Sequence, residues 1–173
     1  MTPAAPKARV SSIGPVIAVA VGSIWAVVSA LAFAQADSFN PVTVLDWVAV
    51  VSFSIALAVL AAAAWLINEL SGRTRSIVAA ATILAIGGVV AAIGNFIEDG
   101  LGVKAFGVMY ELGVFGVLAG LVGLAVTLAL GRRFLLAALA AATFAGVLMS
   151  NEAGGGFLIL ASWLVVAVGL RRG

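Results

Sequence analysis

The sequence predicts an all-α integral membrane protein, built as a bundle of six transmembrane helices. Of its 173 residues, 64% are apolar and only 9% are charged, whereas soluble domains are nearer half apolar and a quarter charged. The mean hydropathy is +1.27. The apolar residues form continuous runs close to the roughly 20 residues that a helix needs to cross a hydrocarbon core of about 30 Å. A membrane β-barrel would instead show alternating segments of about ten residues.

Charged residues, glycine and proline divide the apolar runs into six windows: residues 13–35, 43–67, 77–97, 105–130, 134–150 and 155–170. The last two windows are short, and we expect Arg133 and Arg171 to complete them by extending their long side chains to the membrane interface. The six windows form one transmembrane domain over residues 13–170. A basic leader, residues 1–12, precedes this domain, and a basic end, residues 171–173, follows it.

The first window has an alternative interpretation as a secretory signal peptide, because Lys7 and Arg9 form a short basic leader before it. Its apolar region is too long for a signal peptide, however, and the segment AFAQAD near Ala36 resembles a cleavage site only weakly. We therefore expect the first window to remain as a helix.

Cysteine and histidine are both absent from the sequence. This absence excludes histidine-ligated haem, Cys/His zinc sites, cysteine-ligated iron–sulfur clusters, nucleophiles activated by histidine, and disulfides. Intramembrane aspartyl chemistry needs two facing aspartates, but Asp46 alone lies inside a window, while Asp37 and Asp99 lie in turns. We expect no catalytic residue, no cofactor and no metal site.

The basic residues predict how the chain is threaded, because loops rich in lysine and arginine stay in the cytoplasm. Eight of the nine basic residues fall in the leader, in alternate connections or at the end of the chain: Lys7, Arg9, Arg73, Arg75, Arg132, Arg133, Arg171 and Arg172. The remaining connections hold Asp37, then Glu98, Asp99 and Lys104, then Glu152. We expect a plasma-membrane protein with both termini in the cytoplasm and three helical hairpins whose tips point outward.

The outward half is predicted to be acidic, since six of the seven carboxylates map to it: Asp37, Asp46, Glu98, Asp99, Glu111 and Glu152. Such a surface attracts cations through its summed field. Carboxylates in short turns also serve to solvate those turns, and the composition favours this simpler interpretation.

Glycines on the fourth window predict a close helix contact. Gly113, Gly116, Gly120 and Gly123 follow steps of three, four and three residues, which places them on one helical face. The third window carries a similar series of small residues: Ala80, Gly87, Ala91 and Gly94. Small residues allow membrane helices to approach closely, so we expect the third and fourth spans to pack against each other.

Glu111 is the polar residue that is hardest to explain as packing. It follows Lys104 by seven residues, which corresponds to roughly 10 Å along a helix, and a carboxyl at such depth needs a partner. Because it lies opposite the glycine face, we expect the fourth span to be central in the bundle. Its candidate partners are Lys104, Asn95 and Asp46, although Asp46 also suits a helix-start carboxylate. The candidate ion or ligand site comprises Glu111, Asp46, Asn95, Glu98, Asp99 and Lys104.

Three functions remain open from the sequence. The first is a non-catalytic membrane module: an accessory protein, a scaffold, or a binder of lipid or a small ligand. The second is a small proton- or cation-coupled carrier or channel that uses Glu111 beneath the acidic outer vestibule. The third, which the lack of catalytic groups ranks last, is an intramembrane enzyme acting on lipid. The expected partners are the lipid bilayer and another membrane protein or a second copy of the chain; no nucleic-acid partner is expected.

Overall fold

The computed structural model describes residues 6–34, 36–37, 40–150 and 154–172. Over these residues the chain is helical and contains no β-strand, as the all-α prediction requires. The helices are α1 (Pro6–Phe33), α2 (Val44–Ala58), α3 (Leu60–Ser71), α4 (Arg75–Asn95), α5 (Gly107–Leu130), α6 (Phe134–Leu148) and α7 (Gly155–Arg172). A π-helical turn, Phe96–Gly100, and a 3₁₀ turn, Lys104–Phe106, connect α4 to α5.

Four helical segments are long and apolar enough to cross a membrane: Ser12–Phe33, Val44–Ser71, Arg75–Gly100 and Lys104–Leu130. The last two apolar helices are shorter. With 15 residues, α6 is only about 22 Å long, less than a hydrocarbon core of about 30 Å. The structure therefore supports four of the six predicted spans by length and composition, and it forms helices at the positions of the other two.

The second predicted window contains an interruption between α2 and α3 at Val59. The backbone hydrogen bonds continue across it, from the N–H of Val59 to the carbonyl of Ile55 at 2.9 Å and from the N–H of Ala63 to the carbonyl of Val59 at 3.0 Å. Gly88 of α4 packs beside the interruption, where a Cβ atom would come within 2.6 Å of the Leu57 carbonyl oxygen. The two helices therefore act as one slightly irregular rod that α4 approaches closely.

The helices form a closed ring in which each one packs against its neighbours in the chain and α7 returns to pack against α1. The most extensive contacts are those of α4 with α5 and of α1 with α7. Because α2 and α3 form one rod and the successive rods are antiparallel, their connections gather at two ends. We call one the basic end (residues 72–74, 131–133 and the C-terminal turn of α7) and the other the acidic end (residues 36–37, 40–43, 96–106 and 149–150, with Gly154).

Buried aromatic and hydroxyl groups hold the closure of the ring together. The side chains of Trp25 and Trp163 are fully buried, and Trp25 packs edge-on against Phe53 with ring centroids 6.1 Å apart. Near the acidic end, the Ser29 hydroxyl of α1 accepts a 2.9 Å hydrogen bond from the Gly156 N–H at the start of α7. It also donates to the Ser150 carbonyl at 3.3 Å. The first turn of α7 is thereby fixed to α1.

Candidate functional site

Asp46, one of the candidate ion ligands, caps the start of α2. One of its carboxylate oxygens, Oδ2, accepts hydrogen bonds from the N–H of Thr43 at 2.7 Å and the N–H of Val42 at 3.1 Å. The other, Oδ1, accepts from the N–H of Asp37 at 2.8 Å. In return, the Thr43 hydroxyl accepts from the N–H of Asp46, which completes a capping box. Asp46 therefore lies in the first turn of α2 and caps it, as the helix-start interpretation predicts.

Asn95 joins α4 to α2 through a buried hydrogen bond. Its Nδ2 donates to the Ser54 hydroxyl at 2.9 Å, and that hydroxyl donates to the Val50 carbonyl at 2.9 Å. Both side chains are buried. Hydrogen bonds of this kind fix the relative position of two apolar helices, so Asn95 has a structural role that does not involve Glu111.

Lys104 pairs with Asp99 and not with Glu111. The distance from Lys104 Nζ to Asp99 Oδ1 is 3.4 Å; the carboxylate is buried and the lysine is exposed. The predicted contact with Glu111 assumed one continuous helix through both residues. Lys104 instead belongs to a separate 3₁₀ turn, and α5 begins only at Gly107. The seven-residue spacing therefore does not place the two side chains on a common helical face.

The Asp99–Lys104 pair borders a shallow hollow of about 330 Å³ at the acidic end, next to Trp47 and the segment 40–42. Glu98 lies nearby with its carboxylate against the start of α5, where a Cβ atom at Gly107 would come within 2.7 Å of Glu98 Oε1. A carboxylate at the first turn of a helix is stabilised by the helix dipole. Asp46, Glu98 and Asp99 thus each have a local role.

Glu111 is exposed on the surface of α5, and the expectation that it lies between central helices is wrong. It begins the second turn of α5, about 6 Å along the helix from Gly107. The same exposed side of α5 carries Val108, Phe115 and Val122. The helix packs against α4 and α6, which leaves this side uncovered. The structure therefore does not bring the six candidate residues into one site. Glu152 lies outside the described residues.

The glycines assigned to helix packing lie at the contact between α4 and α5. A Cβ atom at Gly87 would come within 2.6 Å of the backbone of Gly116, and Cβ atoms at Gly113 and Gly120 would overlap the backbones of Ala91 and Leu84. Gly94 packs in the same way against Tyr110, and Gly123 lies near Ala80. The two backbones touch over much of their length, so Gly87, Gly94, Gly113 and Gly120 tolerate no side chain, whereas a Cβ atom at Gly123 would meet only the Ala80 Cβ at 3.2 Å.

A groove of about 590 Å³ lies between α6, α7 and the end of α3. We call it the α6–α7 groove. Its lining includes Leu70, Leu136, Leu139, Ser162, Val166 and Gly169. Ser162 carries the polar side chain among these described lining residues. Its hydroxyl already donates a hydrogen bond to the Ile159 carbonyl at 2.9 Å. On the open side, Leu135 and Val165 are 88% and 72% exposed, which gives the groove a lateral opening.

The groove exists because α6 and α7 touch at one end and separate toward the other. Near the acidic end, a Cβ atom at Gly146 would clash with the Gly155 carbonyl oxygen, and Trp163 Nε1 donates to the Thr143 hydroxyl at 3.1 Å. Closer to the basic end, a Cβ atom at Gly169 would meet nothing within 4 Å. The sequence patterns did not predict this groove. Gly169, in the short last window, is the signal that could have indicated it.

Two arginines lie where the groove reaches the basic end. Arg133 Nη1 donates to the carbonyl of Leu70, a lining residue, at 3.2 Å. Arg171 directly follows Leu170, another lining residue, at the end of α7. Both arginine side chains are exposed. The apolar groove therefore ends beside positive charge.

Comparison with protein-family models, curated proteins and solved structures gives no match for this chain. Within the described residues, no group of three or more acidic, histidine or cysteine side chains could hold a metal ion. The α6–α7 groove and the two arginines near its basic end are therefore the features of this protein that bear on its function.

Proposed function

We propose that this chain is a non-catalytic, multi-pass membrane module whose α6–α7 groove holds the acyl chain of a lipid. The observation that carries the proposal is the groove itself, which has a volume of about 590 Å³ and an almost entirely apolar lining. Ligand sites in proteins commonly have volumes of about 300–1,000 Å³. Binding without chemistry is favoured because the lining offers no carboxylate, amine or unpaired hydroxyl to activate a substrate.

The shape and position of the groove favour an acyl chain over a compact ligand. Its lining on α6 runs from Leu135 to Ala142, a distance of about 10 Å along the helix axis. It opens laterally past Leu135 and Val165, so a lipid tail could enter from the bilayer without passing through water. Lipid tails are as apolar as leucine side chains, so affinity must come from close packing in the groove and from contacts at its end.

The proposal places the protein in the plasma membrane with the basic end and both termini in the cytoplasm, because the basic residues cluster at that end. All six apolar rods would be embedded. Since α6 and α7 are short, the bilayer would thin around them, or the arginines at their ends would reach outward to the interface. A cysteine at Gly100 should react with an impermeant thiol reagent in intact cells, and a cysteine at Gly72 should not; the reverse pattern would refute this threading.

The proposal also accommodates an accessory role, in which a second membrane protein or a second copy covers the exposed side of α5. The carrier alternative depended on a polar interior around Glu111. The exposed position of Glu111 gives that alternative no support.

The test uses the purified full-length chain in a neutral detergent, with phospholipid added and counted by native mass spectrometry. Gly169→Phe should fill the groove without a clash, because a Cβ atom there meets nothing within 4 Å. We expect the wild type to retain one lipid per chain and Gly169→Phe to retain at most a tenth as much. Ala119→Phe is the matched control, because it adds the same ring to the exposed side of α5 and should retain lipid normally.

Both variants should melt at or near the wild-type temperature, which separates loss of the site from loss of the fold. Equal lipid retention by the wild type and Gly169→Phe would refute the groove as the lipid site.

A further inference from the structure

We infer that the α6–α7 groove selects an anionic phospholipid, with the lipid phosphate held by the guanidinium groups of Arg133 and Arg171. This inference rests on the proposed function and adds the headgroup chemistry to it. The apolar lining of the groove can distinguish tails from water but not one headgroup from another. Selection among lipids must therefore come from the charged residues at its basic end.

Arg133 is held at the rim of the groove. Its Nη1 hydrogen bond to the Leu70 carbonyl, at 3.2 Å, fixes the guanidinium beside a residue of the lining. Its Nη2 lies 3.3 Å from the position that a Cβ atom would take at Gly72. Within the described part of the chain, the Leu70 carbonyl is the one acceptor bonded to this side chain. A guanidinium carries five N–H donors, so donors remain for phosphate oxygens.

Arg171 adds a second positive charge at the same end. Because α6 and α7 are antiparallel, the start of α6 and the end of α7 lie together, and Leu170, the residue before Arg171, lines the groove. An apolar groove with Arg133 held beside its lining and Arg171 at the adjoining helix end matches the two parts of a phospholipid, its tails and its phosphate. Arginine also suits phosphate geometrically, because its planar donors can form two parallel hydrogen bonds.

The surrounding charges favour an anionic headgroup over a zwitterionic one. Glu69, in the last turn of α3, is the described carboxylate next to the basic end, and it already forms an ion pair with Arg73. The described residues that line the groove include no carboxylate. A zwitterionic headgroup would bring its own cation toward this positive region, whereas an anionic headgroup brings only negative charge. Basic residues near a membrane surface each favour anionic lipid by about 1 kcal/mol.

The experiment compares phosphatidylglycerol with phosphatidylcholine carrying identical tails, each titrated into the purified full-length chain in neutral detergent. The measured quantity is the ratio of the two dissociation constants. We expect the wild type to prefer phosphatidylglycerol by at least tenfold. Arg133→Gln and Arg171→Gln should each reduce the preference about fivefold, the factor that corresponds to about 1 kcal/mol per arginine. Their affinity for phosphatidylcholine should fall by a smaller factor, because its phosphate loses the same contact while the repulsion between its choline cation and the arginine is relieved.

Arg75→Gln is the matched control, because it removes one exposed positive charge from the basic end on α4, a helix that contributes none of the described groove-lining residues. It should leave the ratio unchanged. If Arg75→Gln lowered the ratio as much as Arg133→Gln, the preference would come from general surface charge and the inference would be wrong. Arg133→Lys serves as a second variant in case the glutamine variant folds poorly. It should keep part of the preference, because it keeps the charge without the paired donors; a complete loss with Lys would also contradict the inference.

Failure of the headgroup inference can be distinguished from failure of the proposed function. Saturable binding of both lipids with equal affinity, lost in Gly169→Phe, would refute the headgroup inference and leave the groove as a lipid site. Absence of saturable binding for either lipid would refute both.

Discussion

The two helical hairpins α4–α5 and α6–α7 are both antiparallel and both rich in small residues, yet they pack in different ways. Glycines bring the backbones of α4 and α5 into contact from Gly94 at one end to Gly120 at the other. Between α6 and α7, the glycines of the described residues make such contacts only near the acidic end, at Gly146 and Gly155. From Thr143 toward the basic end, the two helices separate and the groove opens between them.

The difference shows that a small residue brings two helices together only when the opposite helix presents backbone or another small residue at the same level. Gly116 meets Gly87, and Gly113 meets Ala91. Gly169 is also a glycine in an apolar helix, but the side chains opposite it do not fill the space it leaves. In one pair the glycines therefore form a rigid contact, and in the other a glycine borders an open groove that a ligand can occupy.

The largest expected effect comes from replacing a glycine with leucine in each of the two hairpins, α4–α5 and α6–α7. Gly120→Leu should destabilise the protein by about 3 kcal/mol, because a Cβ atom there already overlaps the backbone of Leu84. Gly169→Leu should be neutral or stabilising by up to about 1 kcal/mol, because it removes a helix glycine without a clash. Thermal melts of both variants in detergent measure the contrast, with Ala119→Leu on the exposed side of α5 as the control. Similar destabilisation by the two glycine variants would remove the distinction between the pairs.

An intermediate effect is expected where α6 and α7 still touch. Thr143→Val removes the acceptor of the Trp163 Nε1–H group, whose hydrogen bond is 3.1 Å long, and leaves a buried donor without a partner. We expect a loss of about 1–2 kcal/mol of unfolding free energy. Thr127→Val in α5 is the control, because the Thr127 hydroxyl bonds only to carbonyls of its own helix among the described residues. Equal melting temperatures for the two variants would show that the Trp163 bond does not hold the α6–α7 contact.

The sequence predicts those features that depend on composition and on short spacings along the chain. Apart from the start of α1, which lies seven residues before the first window, the boundaries of the apolar windows lie within a few residues of the helices. A long apolar run forms a helix in lipid because a helix satisfies all of its own backbone hydrogen bonds. The capping position of Asp46 follows from its place at the start of a window, since the bonds it makes span only a few residues. The glycine series on the third and fourth windows lies at the α4–α5 contact because steps of three and four residues define a helical face.

The features that the sequence did not predict depend on where one element ends and on what lies opposite it. The partner assigned to Glu111 was wrong because α5 begins at Gly107, after a 3₁₀ turn that contains Lys104. The π-helical turn Phe96–Gly100, which contains Asp99, cannot be predicted from the pattern of apolar and polar residues. The α6–α7 groove is defined by space left empty between leucine, alanine and valine side chains, and the same residues fill well-packed interfaces elsewhere in the molecule.

The smallest expected effect concerns Glu111 and the side of α5 that faces away from α4. Glu111 is exposed, and no hydrogen bond or ion pair joins it to another described residue. Glu111→Gln keeps the shape of the side chain and removes its charge, so the melting temperature in detergent and the retained lipid should both equal those of the wild type. Asp46→Asn is the comparison, because both oxygens of the Asp46 carboxylate accept backbone N–H bonds, and this variant should melt at a lower temperature.

If Glu111→Gln instead melted well below wild type, Glu111 would have a partner that the isolated chain does not provide. Size-exclusion chromatography would then show whether that partner is a second copy. In that case the exposed side of α5 would be an interface, and α5, which contacts neighbours on one side only in the isolated chain, would lie between two packed surfaces in the assembly.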